Sequence, residues 1–341
     1  MMQQLPSVRV EHEYFALAGG LDLVTPPLVR STGSLQDCQN YECDINGGYK
    51  RVGGYERFDG RPSPSAQFYY TLPATISGGW AIGDTLTGVT SGATAIVIGA
   101  ESNTALYLCK VTGTFQAAEN LQISAVTIAV SGGAAYQGGA STLATDLAMY
   151  AATANQYRAD IGAVPGSGAV RGVWVYNDDI YAFRDNAGGT ACVMHKATSG
   201  GWATVTTPVL AIGGRYEFIN ANFGGAAGMT KMYGCDGANK AFQFDGTNYT
   251  EITTGMSVDT PKFLYAHKNH LFLAFDGSLQ HSPIGNPTGT WTPVYGAGEL
   301  AMGDTITGII GQPGDNTGGA LAIATRSKTW ILYGTSSANW Q

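Results

Sequence analysis

Charge is scarce in this sequence. Asp, Glu, Lys and Arg together make up 13% of 341 residues, and the balance is acidic, with a formal net charge of -7. An acidic far field repels phosphate, so a generic DNA-binding protein is not expected. Low charge combined with 44% apolar residues also argues against disorder driven by self-repulsion. Long apolar runs are missing too: none approaches the roughly 20 residues that cross a bilayer, and no stable membrane association is expected. The opening MMQQLPSVRVEHEYF lacks the basic and apolar regions of a secretory signal, which predicts folding in a cytoplasm. Cysteines are few and odd in number (Cys38, Cys43, Cys109, Cys192 and Cys235), which fits reduced thiols better than a disulfide framework. Only Cys38 and Cys43 are close, and no second ligand pair stands beside them at zinc spacing.

Catalytic signatures are equally thin. G-x-S-x-G, P-loop and H-E-x-x-H patterns do not occur, nor do repeated Ser-x-Asp-x-Gly-x-x-Trp boxes. His267 and His270 form an H-x-x-H, but on one strand an odd separation sends the rings to opposite faces. Glu11, His12 and Glu13 place two carboxylates on one strand face and read as solvated charge on an arm. Asp178, Asp179 and Asp236 fall in predicted turns, where Asp bonds the backbone. No enzyme activity is expected, and no catalytic, cofactor or metal residue is assigned.

Glycine is plentiful, at 48 residues, and it punctuates the chain. Residues 1–71 read as an extended N-terminal arm and first strands, because short apolar pieces alternate with Gly-Gly, Pro-Pro and Ser-Thr-Gly signals. Residues 72–138 shift to Gly, Thr, Ala, Val and Ile with turns every eight to twelve residues, which predicts a small inserted β-barrel or sandwich. Within 139–168, the segment Thr142 to Ile161 predicts the one helix, with Leu143, Leu147, Tyr150, Ala154, Tyr157 and Ile161 at three- and four-residue steps, followed by a linker.

From 169 to 341 hairpins follow one another. VWVYNDDIYAFRD, KMYGCDGANKAFQFDG, FLYAHKNHLFLAFDG and LAIATRSKTWILYG begin at Val173, Lys231, Phe263 and Leu321, with irregular spacings of 58, 32 and 58 residues. Asp-Gly at 245–246 and 276–277 marks turns. The fold class expected is mainly all-β, with a β-propeller-like core rather than a regular WD-type array, and a plain sandwich as the alternative. The echo between 81–88 and 301–308 (AIGDTLTG and AMGDTITG) reads as a coincidence of strand chemistry.

The stretch GGYKRVGGYERFDG (47–60) interleaves basic and aromatic residues. On a continuous strand Tyr49, Arg51, Tyr55 and Arg57 share one face, with Val52, Glu56 and Phe58 on the other. Internal packing is the first expectation for this run, a subunit contact the second, and a DNA contact the last. Those four residues are the interface candidates.

GGLDLVTPPL (19–28), CQNYECDINGGYKRVGGYERFDGRPSPS (38–65), VPGSGAVRGVWVYNDDIYAFRD (164–185) and HSPIGNPTGTW (281–291) resemble the propeller-containing tail hub or nozzle proteins of short-tailed bacteriophages. The resemblance implies a virion tail subunit assembled in the host cytoplasm, in a self-associating ring that is a hexamer. That ring would extend the channel below portal and adaptor proteins, contact tail fibre or needle proteins, retain genomic DNA and guide its ejection. A propeller of this family closes by pairing its chain ends, whereas hairpins here are still arriving at TWILYGTSSANWQ. Either the protein is shorter than its relatives or a C-terminal portion is absent from this sequence, and the blade count stays open. A carbohydrate-binding or receptor-binding virion protein is the alternative, with Trp174, Trp202 and Trp291 lining a sugar cleft.

Overall fold

The computed structural model describes residues 19–44, 48–312, 319–334 and 338–341. The chain divides into two compact units, Met1–Glu56 and Arg57–Gln341. Expectations for Glu11, His12 and Glu13 lie outside the described residues.

In the first unit, β1 (Tyr41–Cys43) pairs antiparallel with β2 (Tyr49–Arg51), placing Cys43 opposite Tyr49. The Tyr49 hydroxyl reaches the carbonyls of Gly20 at 2.9 Å and Gly33 at 3.2 Å. It thereby ties the ladder to the turn-rich chain before it, where Leu21 bridges Leu35 in parallel.

The second unit opens on a barrel. Its strands are β3 (Tyr70–Ile76), β4 (Thr85–Gly88), β5 (Thr94–Glu101), β6 (Ala105–Thr112), β7 (Asn120–Ile123) and β8 (Val126–Ser131). They pair in the order β6-β5-β4-β7-β8-β3, and β3 returns to β6 with Tyr70 opposite Leu108, which closes six strands. A short β9 (Tyr136–Gln137) adds to β3. Closure removes both edges, and inward-facing Leu72, Leu86, Val97, Leu106, Leu121 and Ile128 fill the centre. Glu119 is buried beside them and accepts bonds from the amides of Thr90, Ser91 and Gln116 and from the Ser91 hydroxyl. Burial opposes its charge, but these donors outweigh that cost and hold its pKa below the usual carboxylate value.

Helix α1 (Leu143–Arg158) is capped by the Thr142 hydroxyl, which accepts the Thr145 amide at 3.2 Å. Met149, Tyr150 and Tyr157 pack against Tyr69, Ile98, Tyr107 and Cys109 on the barrel wall. Asp146 accepts the Tyr69 hydroxyl at 2.6 Å. This rotation leaves Leu143 and Leu147 exposed, contrary to the apolar face expected from their spacing. Tyr150 and Tyr157 of the expected face do dock on the barrel and Ala154 is buried with Thr153, while in the first turn Asp146 makes the contact through the Tyr69 hydroxyl.

Four antiparallel meanders follow. The first is β10 (Val170–Tyr176), β11 (Asp179–Asp185), β12 (Cys192–Thr198) and β13 (Gly201–Thr204), and the second β14 (Glu217–Ala221), β15 (Lys231–Cys235), β16 (Phe242–Phe244) and β17 (Tyr249–Glu251). The third is β18 (Phe263–His267), β19 (His270–Phe275), β20 (Ser278–His281) and β21 (Gly298–Ala301). The fourth is β22 (Ile306–Gly311), β23 (Leu321–Thr325) and β24 (Thr329–Leu332). Mainly β architecture with one helix is thus the observed class among the described residues.

The irregular hairpin spacing has a simple cause. The hairpins read from sequence are first-and-second strands in the first and third sheets, but second-and-third strands in the second and fourth. Counted by first strands (Val170, Glu217, Phe263, Ile306), the repeat is nearly even at 47, 46 and 43 residues. Aromatic clusters fill the seams between successive sheets: Phe183 stacks on Tyr216 at 4.1 Å in the first seam, and Phe223 meets Tyr233 edge-on at 5.1 Å in the second. The third seam is aliphatic, with Leu279, Ile306, Leu321 and Ile323 around Phe272.

Candidate functional site

The first strands of successive sheets are neighbours, β10 beside β14, β14 beside β18 and β18 beside β22. At one end of β14, β18 and β22 they border a groove of about 770 Å³. The hairpin tip Lys268-Asn269 forms part of its rim. Both tip residues have positive φ, 47° and 60°, as a two-residue primed turn requires. Asn177-Asp178, at 51° and 64°, makes the same turn between β10 and β11.

Amide side chains dominate the polar lining and are partly committed to the fold. Asn220 accepts the Trp174 indole N–H at 2.9 Å and donates to the Val175 carbonyl at 2.9 Å, stitching the first sheet to the second. Asn222 closes the turn after β14 by bonding Gly225 and Ala226. His267 differs: its Nε2 is buried in the groove wall and has no hydrogen-bond partner among the described residues. Burial lowers its pKa, and the neighbouring charges of Lys268 and His270 act in the same direction.

His267 and His270 face each other across the hairpin as register partners. The expectation that they point to opposite faces is therefore overturned. A turn falls between them, and residues opposite in an antiparallel pair project to the same side of the sheet. They do not form a metal centre with other groups: among the described residues no cluster of three or more His, Cys, Asp or Glu side chains gathers. Cys38, Cys109, Cys192 and Cys235 are free thiols, the last three buried.

The interface candidates are not assembled on one strand. Tyr49 and Arg51 belong to β2, whereas Tyr55 and Arg57 lie in chain without regular structure, because β2 ends at Arg51 ahead of Gly53-Gly54. Arg51, Tyr55 and Arg57 are exposed, and Tyr55 is 95% accessible. Val52 and Phe58, expected on the opposite face of the same strand, are exposed as well. Internal packing is thus corrected for residues 51–58, while Tyr49 is tied inward by its hydroxyl.

The anchoring residues are Asp59 and Gly60 at the end of this run and Arg61 just after it. Asp59 is almost fully buried, pairs with Arg61 and accepts the Gly162 amide at 3.0 Å. Arg61 donates to the carbonyls of Asp160 at 2.8 Å and Gly200 at 2.7 Å, so one guanidinium joins the segment after the helix to the β12–β13 turn. Gly60 is required there: at φ 96° a Cβ would stand 2.4 Å from the Thr198 amide nitrogen. The D-G-R triplet was visible in the sequence, but its partners are about 100 and 140 residues away, beyond the reach of local turn chemistry.

Trp174, Trp202 and Trp291 do not line a common cleft. Trp174 stacks on Phe218, Trp202 sits on the outer strand β13, and Trp291 is buried between the second and third sheets with its N–H on the Pro287 carbonyl.

Among the described residues no helix is long and apolar enough to cross a membrane. No family model and no curated protein matches this chain. Among solved structures, a structural genomics protein of unknown function from Bacteroides thetaiotaomicron VPI-5482 is similar at 10% identity and a TM-score of 0.31, covering 79% of this chain and 68% of that one. A likeness that distant carries no argument about function.

Proposed function

We propose that this chain is a structural subunit of a virion, a tail hub or nozzle ring of a short-tailed bacteriophage, with its four meander sheets as blades of a β-propeller. The phage assignment rests on the sequence resemblance. The propeller reading is supported by the repeat of 43–47 residues and by first strands that neighbour one another in succession.

The observation that carries the assembly reading is the apolar surface of the segment before the barrel. Leu28 is 99% accessible, Val24 92% and Tyr55 95%, with Leu23 and Val29 also exposed. Four exposed apolar residues within 23–29 are the kind of surface that another protein covers, and Arg51 and Tyr55 are residue types favoured at the centres of interfaces. In this role the work is mechanical. Blades resist deformation, copies join as a hexameric ring, and portal, adaptor and fibre or needle proteins meet its two ends. The ring retains genomic DNA before ejection and then guides it out without tight binding, in keeping with the acidic net charge.

Cryo-electron microscopy of intact particles tests this directly. The expected result is a ring of this chain below the portal; particles whose tails lack it overturn the reading. A second reading, a virion module that binds glycans or a receptor, is favoured by one feature, the unpartnered His267 Nε2 in a groove lined by amides. Titration with host polysaccharides separates the two, since the ring reading expects no saturable binding.

A further inference from the structure

The second and third sheets pack against a neighbouring sheet on both faces, through the seams described above. The first and the fourth stand at the two ends of this series, and each turns one face away from it.

The outward face of the fourth sheet is apolar. Ile310, Ala322 and Ile331 are register partners across its three strands and so project to one side, as do Gly308, Ala324 and Thr329 in the next row. Ile309, Leu321 and Ile323 project to the other side and pack on the third sheet. Ile310 is 65% accessible, Ile331 is exposed beside it, and neither row contains a charged residue. Strands apolar at consecutive positions, as in Ile309-Ile310, Leu321 to Ala324 and Trp330 to Leu332, are the pattern of a sheet covered from both sides. The small Ala322 and Ala324 leave a furrow along β23 between the flanking isoleucines.

The outward face of the first sheet is open only along β10. Val173 is the register partner of Ala182, and Ala182 of His195, so the three share the side opposite Trp174, which stacks on Phe218 of the second sheet. Residues 164–168 close most of that side: Arg184 holds them by the carbonyls of Val164 at 2.5 Å and Gly168 at 2.8 Å, and Ala182 and His195 are buried. Val170, Val173 and Val175 stay exposed as a ridge. This ridge lies on a first strand, and first strands are what neighbour one another from sheet to sheet within the chain.

We propose that the outward face of the fourth sheet receives the β10 ridge of a second copy, head to tail, so that the boundary between copies repeats the seams inside one chain. The inference rests on the ring reading above and names the two surfaces that join its members. β10 of the next copy lies beside β22, as β22 itself lies beside β18, with Val173 and Val175 set against Ile310 and the β23 furrow. Both surfaces are aliphatic and uncharged, so their contact buries no unpaired ion. Two different surfaces meet, and each copy keeps one of them free for the next, which is the heterologous geometry from which rings are built.

Charge placed on either surface tests the pairing in the full chain. Ile310→Asp and Val173→Asp each change an exposed side chain and should leave the melting temperature of the single chain unchanged, while sedimentation shows association weakened at least tenfold. In an equimolar mixture the intact fourth sheet of the Val173→Asp chain meets the intact first sheet of the Ile310→Asp chain, so dimers should form and nothing larger. Variants that assemble like the parent, or a mixture that gives no dimers or gives larger species, overturn the inference. A second readout introduces no charge: benzoylphenylalanine at Thr329 should crosslink, on irradiation, to residues 170–182 of an isotope-labelled copy. Crosslinks to other segments, crosslinks confined to single chains, or none at all overturn it. The parent distinguishes the two failures. A parent ring that survives both charges sinks this inference alone, whereas a parent that stays single at all concentrations sinks the ring reading too.

Discussion

The rings of His270 and His281 stand edge to face with centroids 5.1 Å apart, and both direct Nδ1 at one acceptor, the Ser282 carbonyl, at 2.6 and 3.1 Å. Trp340 covers the pair, 4.7 Å from His281 and 5.2 Å from His270. Burial is the main cause that lowers both pKa values, and it acts likewise on His195 and His267. A histidine whose folded pKa lies below its unfolded value, about 6.5, adds stability that is complete above that value and is lost as pH falls through it toward the folded pKa. The denaturation midpoint should therefore drop between pH 7.5 and 5.5, before most carboxylates titrate. The His270→Phe, His281→Phe double variant should show a shallower dependence. A flat or rising midpoint over that interval would remove the argument.

Glu119 gives a second, separable pH term. Its carboxylate holds three amides and a hydroxyl inside the barrel, and a Cβ on Gly88 would stand 2.7 Å from its oxygens. With its pKa held low, its contribution is present above the ordinary carboxylate value and lost as pH falls below it. Glu119→Ala leaves those donors unsatisfied and should cost about 2–3 kcal/mol, since hydrogen bonds to charged groups are worth roughly 1.5–3 kcal/mol. Urea denaturation at pH 7 measures this, and a loss below about 0.5 kcal/mol, the scatter of neutral surface changes, would contradict it.

Strands with clean turn chemistry were legible from sequence. D-G-A-N at 236–239 and D-G-T-N at 245–248 form the same turn, each Asp Oδ1 accepting the amides two and three residues on. The 43–47-residue repeat was hidden because the most apolar hairpin of each sheet is not always its first. Phe242–Phe244 is wholly buried, whereas β10 shows Val173 and Val175 to solvent, so apolarity tracks burial between sheets rather than strand rank. The continuous strand expected over 47–60 fails for a related reason. Alternation in 47–60 matches a strand period, but Gly53-Gly54 interrupts it and no partner among the described residues pairs residues 53–58 into a sheet. Non-local bonds such as Arg61 to Gly200 leave no trace in spacing at all.

Arg61 should be the most sensitive surface-proximal residue of the second unit. Its removal leaves the Asp59 carboxylate buried without its cation and frees the Asp160 and Gly200 carbonyls. Breaking one partner of a buried pair costs roughly 3–5 kcal/mol, and Arg61 is partly exposed, so about 3 kcal/mol is expected for Arg61→Ala. Arg61→Lys recovers only part of it, because an ammonium cannot reproduce the planar fork that meets several acceptors at once. Limited proteolysis should cut the 159–168 segment faster in Arg61→Ala than in the parent. Equal cleavage rates and an unchanged melting temperature would refute the role.

Leu28 and Tyr55 test assembly without touching the core. Both side chains are almost fully accessible in the single chain, so Leu28→Asp and Tyr55→Asp remove no internal packing and should shift its stability by no more than about 0.5 kcal/mol. In a ring that covers them, each change places a carboxylate in a desolvated apolar contact, where an unpaired charge is strongly unfavourable. Sedimentation velocity should then show the parent as a large symmetric species and the double variant as single chains, with identical melting curves below the association threshold. If the variant assembles as well as the parent, the exposed apolar face of this segment does not join copies of the chain.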